Sequence, residues 1–315
     1  MNPLQQTLGT LSFGTTVAHA NLTMVPLLAP AEIAPAYMLL DEALQNALAD
    51  VTEVSEAGAV PELLFRNRAE HDVLLVDGEE LVGAKQNRVL NLTILAPARS
   101  ELRIPVSCVE AGRWAWRSRK FAPGLKKLHA RARAKKMRGV TAALRESGAR
   151  ARGDIQAGVW DEVDAKLAAF KVRSASSALH DALEAVAPDL EAVRARFAPQ
   201  PRQVGAAFFI GGALVGLDLF DSPAALAKLL PKLVESYAFD ALEKPSAKAA
   251  GPSLEEVRAL LARIAQAPAE AYPAVGKGTD LRIDTAQFSA AALLEGERVV
   301  HLAAFALQEE RDEVA

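Results

Sequence analysis

The sequence predicts an α+β protein with a β-rich N-terminal half built from hairpins, a helical basic middle segment and an α+β C-terminal section. Three observations lead there. Before residue 119, short apolar runs of strand length are separated by turn-forming residues. Between 119 and 200, Ala, Lys, Arg and Leu dominate, and all are good helix formers. From 201 onward, apolar runs around glycine turns alternate with helical spacing. The sections divide at 1–118, 119–200 and 201–315, and they fold either separately or as one continuous domain.

In the first section, Thr15–Val17 and Leu22–Leu27 read as strands. Tyr37, Leu40, Leu44 and Leu48 recur at helical spacing, which predicts an amphipathic helix over Tyr37–Leu48. Asn67-Arg68-Ala69-Glu70 reads as a tight connection. Asp77-Gly78 signals a hairpin, because glycine accepts positive φ. Leu92–Ala96 and Leu102–Val106 are further strands.

The second section should hold a helix over Leu125–Leu144 and a flexible stretch over Ser147–Gly158, which contains three glycines. Trp160, Val163, Leu167 and Phe170 mark one face of the next helix, and Ser176–Val186 and Asp189–Phe197 add two short ones. In the third section, Val204–Phe220 reads as a hairpin turning at Gly211-Gly212. Ser222-Pro223 has the residue types of a helix N-cap and first turn. Pro231 falls inside that helix and predicts a kink or break. Ser253 with Glu256 forms a capping-box pattern before Val257–Ile264. Ala290–Phe305 is a final hairpin, and the tail after Gln308 is acidic.

The composition is 50% apolar and 24% charged, which suits a soluble globular protein. No apolar run approaches the roughly 20 residues of a membrane span. Cys108 is the only cysteine, which excludes an internal disulfide and fits a cytoplasmic location. The net charge of −3 hides an asymmetry. Between Arg113 and Arg152 there are 14 Lys or Arg residues and one acid, Glu146. Such a block either binds RNA or a partner protein, or it pairs with acids elsewhere in the same chain.

Two polar runs between apolar strands point to a binding site. The first is Gly78-Glu79-Glu80-Leu81-Val82-Gly83-Ala84-Lys85-Gln86-Asn87-Arg88, and the second is Cys108-Val109-Glu110-Ala111-Gly112-Arg113-Trp114. Lys85 and Arg88 suit phosphate or carboxylate, Arg in a bidentate manner. Gln86 and Asn87 both donate and accept, which suits bases, amides and ribose hydroxyls. Glu110 and Arg113 would complete the pocket, and Trp114 would stack or pack. Glu80 and Glu110 are the candidate general bases. The alternative for these residues is a solvated polar edge with an internal ion pair.

Other chemistries have weaker signals. Cys108 near Arg113 has the makings of a nucleophile, but no histidine is close in sequence. The five histidines are scattered without metal-ligand spacing, so no metal is expected. Asp218 and Asp221 read as helix-capping acids, and His301 as a core histidine. Gly276-Lys277-Gly278-Thr279 lacks phosphate-loop spacing, and no dinucleotide or serine-hydrolase motif is present.

The two runs, together with Gly216-Leu217-Asp218-Leu219-Phe220 and Val300-His301-Leu302, resemble the ARG and rhodanese-phosphatase-superfamily-associated protein domain, from about Leu11 to Phe305. That resemblance implies a role near ADP-ribose or nucleotide metabolism. It supplies no catalytic residues and names no cofactor. The expectation is therefore a protein that binds or processes an anionic nucleotide-like ligand, such as an ADP-ribose derivative. If there is a reaction, it is hydrolysis or transfer at a glycosidic or phosphate bond. The alternative is a non-enzymatic RNA- or protein-interaction module using residues 113–152.

Overall fold

The computed structural model describes residues 2–56, 58–59, 61–147, 155–243 and 251–307. Their fold is α+β, with most strands of the first half preceding the long helices. The large sheet has nine strands. Its path runs β1 (Ser12–Phe13), β3 (Leu22–Leu28), β13 (Gln203–Ile210), β14 (Ala213–Phe220), β18 (Arg298–Ala306), β17 (Phe288–Glu295), β16 (Thr279–Asp284) and β15 (Glu270–Pro273), with β2 (Val17–His19) also pairing β3. An early strand therefore sits beside a late one, with Ala207 opposite Val25.

A six-stranded sheet carries the polar runs. Its order is β12 (Phe121–Lys127), β8 (Glu79–Gly83), β9 (Arg88–Leu90), β11 (Glu101–Cys108), β6 (Glu62–Asn67) and β5 (Ala49–Glu53). A three-stranded sheet joins β10 (Ile94–Ala96), β7 (Asp72–Leu75) and β4 (Tyr37–Leu39).

The long helices fill the space between the sheets. Helix α3 (Ala130–Ser147) buries Ala132, Met137, Val140 and Leu144, and α7 (Pro223–Ala241) buries Leu226, Leu230, Leu233 and Tyr237. Tyr237 stacks on Phe208 of β13 at 4.0 Å between ring centroids. Each fully buried Leu contributes about 1.5–3 kcal/mol, so these stripes, rather than helix propensity, hold the helices in place.

The predicted hairpins at Gly211-Gly212 and Gly296 form as expected, as β13–β14 and β17–β18. Ser253 caps α8 (Leu254–Gln266) by accepting the Glu256 N–H. Four expectations change. Tyr37–Leu48 is not one helix, because Tyr37–Leu39 pairs in parallel with β7 and only Leu40–Gln45 (α2) is helical. The Tyr37 hydroxyl is fixed by Asp221 at 2.5 Å, and Glu42 accepts the Leu39 N–H. Asp77-Gly78 does turn at positive φ (+76°), yet β7 and β8 belong to different sheets. The turn carries the chain between sheets and closes no hairpin. The basic helix starts at Ala130, since Phe121–Lys127 pairs with β8. Pro231 neither breaks nor ends α7, because it lies on the exposed face while buried residues hold both flanks. Of the predicted flexible stretch, residues 148–154 lie outside the described residues, as does the acidic tail; Gln156 already begins α4 (Gln156–Ala169).

No helix among the described residues is long and apolar enough to cross a membrane.

Candidate functional site

Strand pairing brings the two polar runs together. Arg88 of β9 lies opposite Cys108 of β11, so the residues flanking each strand end become neighbours. Between β8 and β9 the chain reverses through Gly83 (φ +129°) and Ala84 (φ +41°). A side chain at position 83 would begin 2.5 Å from the Ser118 hydroxyl, so only glycine fits.

The runs then lock to each other through hydrogen bonds. The Asn87 N–H donates to Glu110 Oε2 at 3.1 Å, and Gln86 Nε2 donates to the Glu110 carbonyl at 2.9 Å. Arg113 is the hub. It donates to the Ala84 and Ala115 carbonyls, both at 2.9 Å, and to Asn87 Oδ1 at 3.3 Å, and it pairs with Glu110 at 2.6 Å. Arg88 donates to Gln86 Oε1 at 2.7 Å. All six predicted ligand-binding residues and Glu110 therefore occupy one neighbourhood.

Their exposure differs in a way the sequence did not reveal. Arg88 is fully buried, and Lys85, Gln86, Asn87 and Glu110 are nearly so. Trp114 and Trp116 are 46% and 40% exposed. They lie in a loop. The Lys85 ammonium lies 5.2 Å from the Trp114 ring and 5.1 Å from the Trp116 ring, and it also donates to the Glu56 carbonyl. Arg88 lies 5.6 Å from Trp114, and Arg119 lies 4.9 Å from Trp116. Two open indole faces are thus backed by cations.

The two predicted general bases have opposite environments. Burial pushes the Glu80 carboxyl up, with Glu110 adding to the effect, and Glu80 Oε1 has no hydrogen-bond partner. Gly124 of β12 packs directly on it. For Glu110, burial acts upward but is outweighed by the Arg113 hydrogen bond and the Asn87 N–H, which hold it below the usual range. Divergent pKa values in neighbouring carboxyls are the pattern of an acid and a base. Cys108 is fully buried, its thiol is pushed up to about 11 by that burial, and its backbone is clamped by Gln156 at 2.7 and 2.8 Å. That environment suits a packed thiol, not a nucleophile.

Glu53, at the end of β5, escaped the sequence reading because it is far along the chain. It stands 3.9 Å from Arg88 Nη2. No local pattern singles out Glu53; only strand order places it there.

A second polar cluster lies between the sheets. Arg133 of α3 bonds both Asp218 and Asp77, and Tyr237 also donates to Asp218. His301 bridges Thr93 Oγ1 at 2.8 Å and Asp218 Oδ1 at 3.3 Å. Lys136 donates to the Leu90 and Asn91 carbonyls and to Asp77. Burial lowers Lys136 to about 8. The donor atoms of Asp77, Asp218 and His301 lie within 4.8 Å of one another, a spacing suited to a metal. However, Arg133 and Lys136 already balance both carboxylates. The adjoining cavity, bordered by Thr93, Arg282 and His301, is about 20 Å³, room for one water. Glu79 belongs to this side, pairing with Lys232 at 3.2 Å. The cluster is a satisfied ionic core.

The basic segment is also largely compensated. Arg131 pairs with Glu162 and Glu243, Lys135 with Asp161, Arg138 with Asp284 and Arg145 with Glu270. Arg133 and Lys136 are buried.

Residues 10–305 match the family model described as the ARG and Rhodanese-Phosphatase-superfamily-associated Protein domain. The chain belongs to this family. Both polar runs, the paired tryptophans and the ionic core fall inside the matched span of this family member. Searches of curated proteins and of solved structures return no match.

Proposed function

We propose that this family member binds an anionic nucleotide-like ligand, an ADP-ribose derivative, at the surface formed by Trp114, Trp116 and the cations behind them. The observation that carries this reading is the pair of half-exposed indoles with Lys85 close to both rings. Exposed tryptophans are costly to leave in water unless something stacks on them, and a flat base satisfies that face. Lys85, Arg113 and Arg119 supply positive potential for the phosphates. Gln86, Asn87 and Glu110 hold the loop rigid and so set the ligand position in advance. Glu80, whose carboxyl burial pushes up, and Glu110, whose carboxyl Arg113 and the Asn87 N–H hold down, are the candidate acid and base of this neighbourhood for a bond-breaking step at a glycosidic or phosphate linkage.

The test is calorimetric titration of ADP-ribose, ADP and NAD into wild type and Trp114→Ala. Because Trp114 is half exposed, the variant should melt within about 2 °C of wild type. We expect wild type to bind at least one of these molecules and the variant to bind it at least tenfold more weakly. Equal affinity in the two proteins, or no binding by wild type, overturns the reading.

A further inference from the structure

We propose that Glu53 is a ligand-binding residue of the same site and that it reads a vicinal diol of a sugar ring; this inference rests on the binding reading above. The Glu53 side chain is 2% exposed, and neither carboxylate oxygen has a hydrogen-bond partner. Its neighbour Arg88 is fully buried, and its Nε and Nη2 are equally unmatched. The two groups face each other at 3.9 Å, beyond hydrogen-bond reach. Four strong polar atoms are thus buried side by side with their capacity unused, an arrangement that folding alone disfavours.

Glu53 also lines a groove, with Arg88 buried behind it. This groove of about 280 Å³ runs over Glu53 and is bordered by Ser55, Glu56, Arg66, Trp116 and Arg119. Trp116, 40% exposed, lines the same groove and offers it an apolar surface. The edge of Trp114 and Glu53 Oε2 both lie within 3.3 Å of where a side chain on Gly58 would begin, so the bare glycine backbone packs closely against both.

Charge selects what fits. A phosphate placed here meets Glu53 and Glu56 and is repelled. An ammonium or guanidinium satisfies Glu53 but is repelled by Arg88 and Arg119. A hydroxyl satisfies both sides, since it donates to a Glu53 oxygen and accepts from an Arg88 N–H. Two adjacent hydroxyls use both carboxylate oxygens, and the C–H face of a sugar ring packs on Trp116. The phosphates of the same ligand then lie toward the outer cations, away from Glu53.

The experiment titrates ADP-ribose, ADP and 2′,3′-dideoxy-ADP into wild type and Glu53→Gln, with a melting curve for each protein. Gln keeps the shape but replaces one acceptor with a donor. We expect Glu53→Gln to weaken ADP-ribose at least tenfold and to leave 2′,3′-dideoxy-ADP within twofold. Loss of ADP affinity as well assigns the diol to the adenosine ribose; loss for ADP-ribose alone assigns it to the terminal ribose. The variant should stay folded with a cooperative transition at a somewhat lower temperature, because buried Arg88 keeps its charge while Glu53 loses its own. If wild type binds and Glu53→Gln binds ADP-ribose equally, the diol assignment is wrong while the site stands. If Glu53→Gln loses its cooperative transition altogether, Glu53 is required for the fold as the partner of Arg88 and the ligand-binding assignment is overturned. If wild type binds none of the three, the binding reading itself fails and takes this inference with it.

Discussion

Arg133 of α3 donates to both carboxylate oxygens of Asp218 of β14, at 2.5 and 3.1 Å, with neither side chain exposed to solvent. The same guanidinium reaches Asp77 in the turn before β8. One side chain thus ties the basic helix to the nine-stranded sheet and to the connection that leads into the six-stranded sheet. Replacing Arg133 with Met leaves two carboxylates buried beside too little positive charge. We expect a loss of about 3–5 kcal/mol, read as a lower urea midpoint. Double replacement with Asp218→Asn should cost less than the sum of the two singles, since both partners are then gone.

Cys108 should be inert. Its sulfur is buried and its thiol is held at about 11 by that burial, so few thiolates exist at pH 8. A disulfide reagent at pH 8 should label the native protein at least a hundredfold more slowly than the urea-unfolded chain. Rapid labelling of native protein would place Cys108 at an open, charged position, contrary to its packing.

Acid stability should depend on Glu162. Burial acts upward on this carboxyl, but hydrogen bonds from His129 and Arg131 outweigh it and bring the pKa from the ordinary 4.5 to about 2. A folded pKa below the unfolded one means the contribution is complete above about pH 4.5 and is lost as pH falls through about 2. After allowance for partial exposure, it is about 1–2 kcal/mol. The urea midpoint of Glu162→Gln should therefore lie below that of wild type at pH 6, and the two should converge near pH 2.

Pro231 offers a gain. It sits on the exposed face of α7, where it removes the N–H that would bond the Ala227 carbonyl. Pro231→Ala restores that bond without disturbing the core, at the cost of a more disordered unfolded chain. We expect a net stabilisation of about 1–2 kcal/mol, seen as a melting temperature several degrees higher.

The parts of the fold written into local sequence were readable. The glycine pair at 211–212 and Ser222-Pro223 announced a hairpin and a helix start, because turn and cap chemistry act over a few residues. Each polar run was readable by itself, but their meeting depends on the pairing of β9 with β11. What failed was anything decided by distant partners. Tyr37 fits a helical stripe, yet a parallel neighbour in β7 and the Asp221 carboxylate make its segment a strand. Asp77-Gly78 has hairpin chemistry, but the flanking strands find better partners in separate sheets. Burial of Arg88 and the presence of Glu53 beside it depend on the order of strands in the sheet, which no single stretch of sequence encodes.

The pairing of Leu22–Leu28 with Gln203–Ile210 also sets a timetable for biosynthesis. The ribosome delivers the first strand, largely apolar and mostly buried in the finished protein, long before its partner β13 exists. At about 5–20 residues per second, that delay is on the order of 10 seconds or more. Throughout it, the edge of this strand that β13 will cover waits with only β1 and β2 of its own chain beside it. Such a nascent chain is a natural client for ribosome-associated chaperones, and slowing translation between the two strands should lengthen its dependence on them.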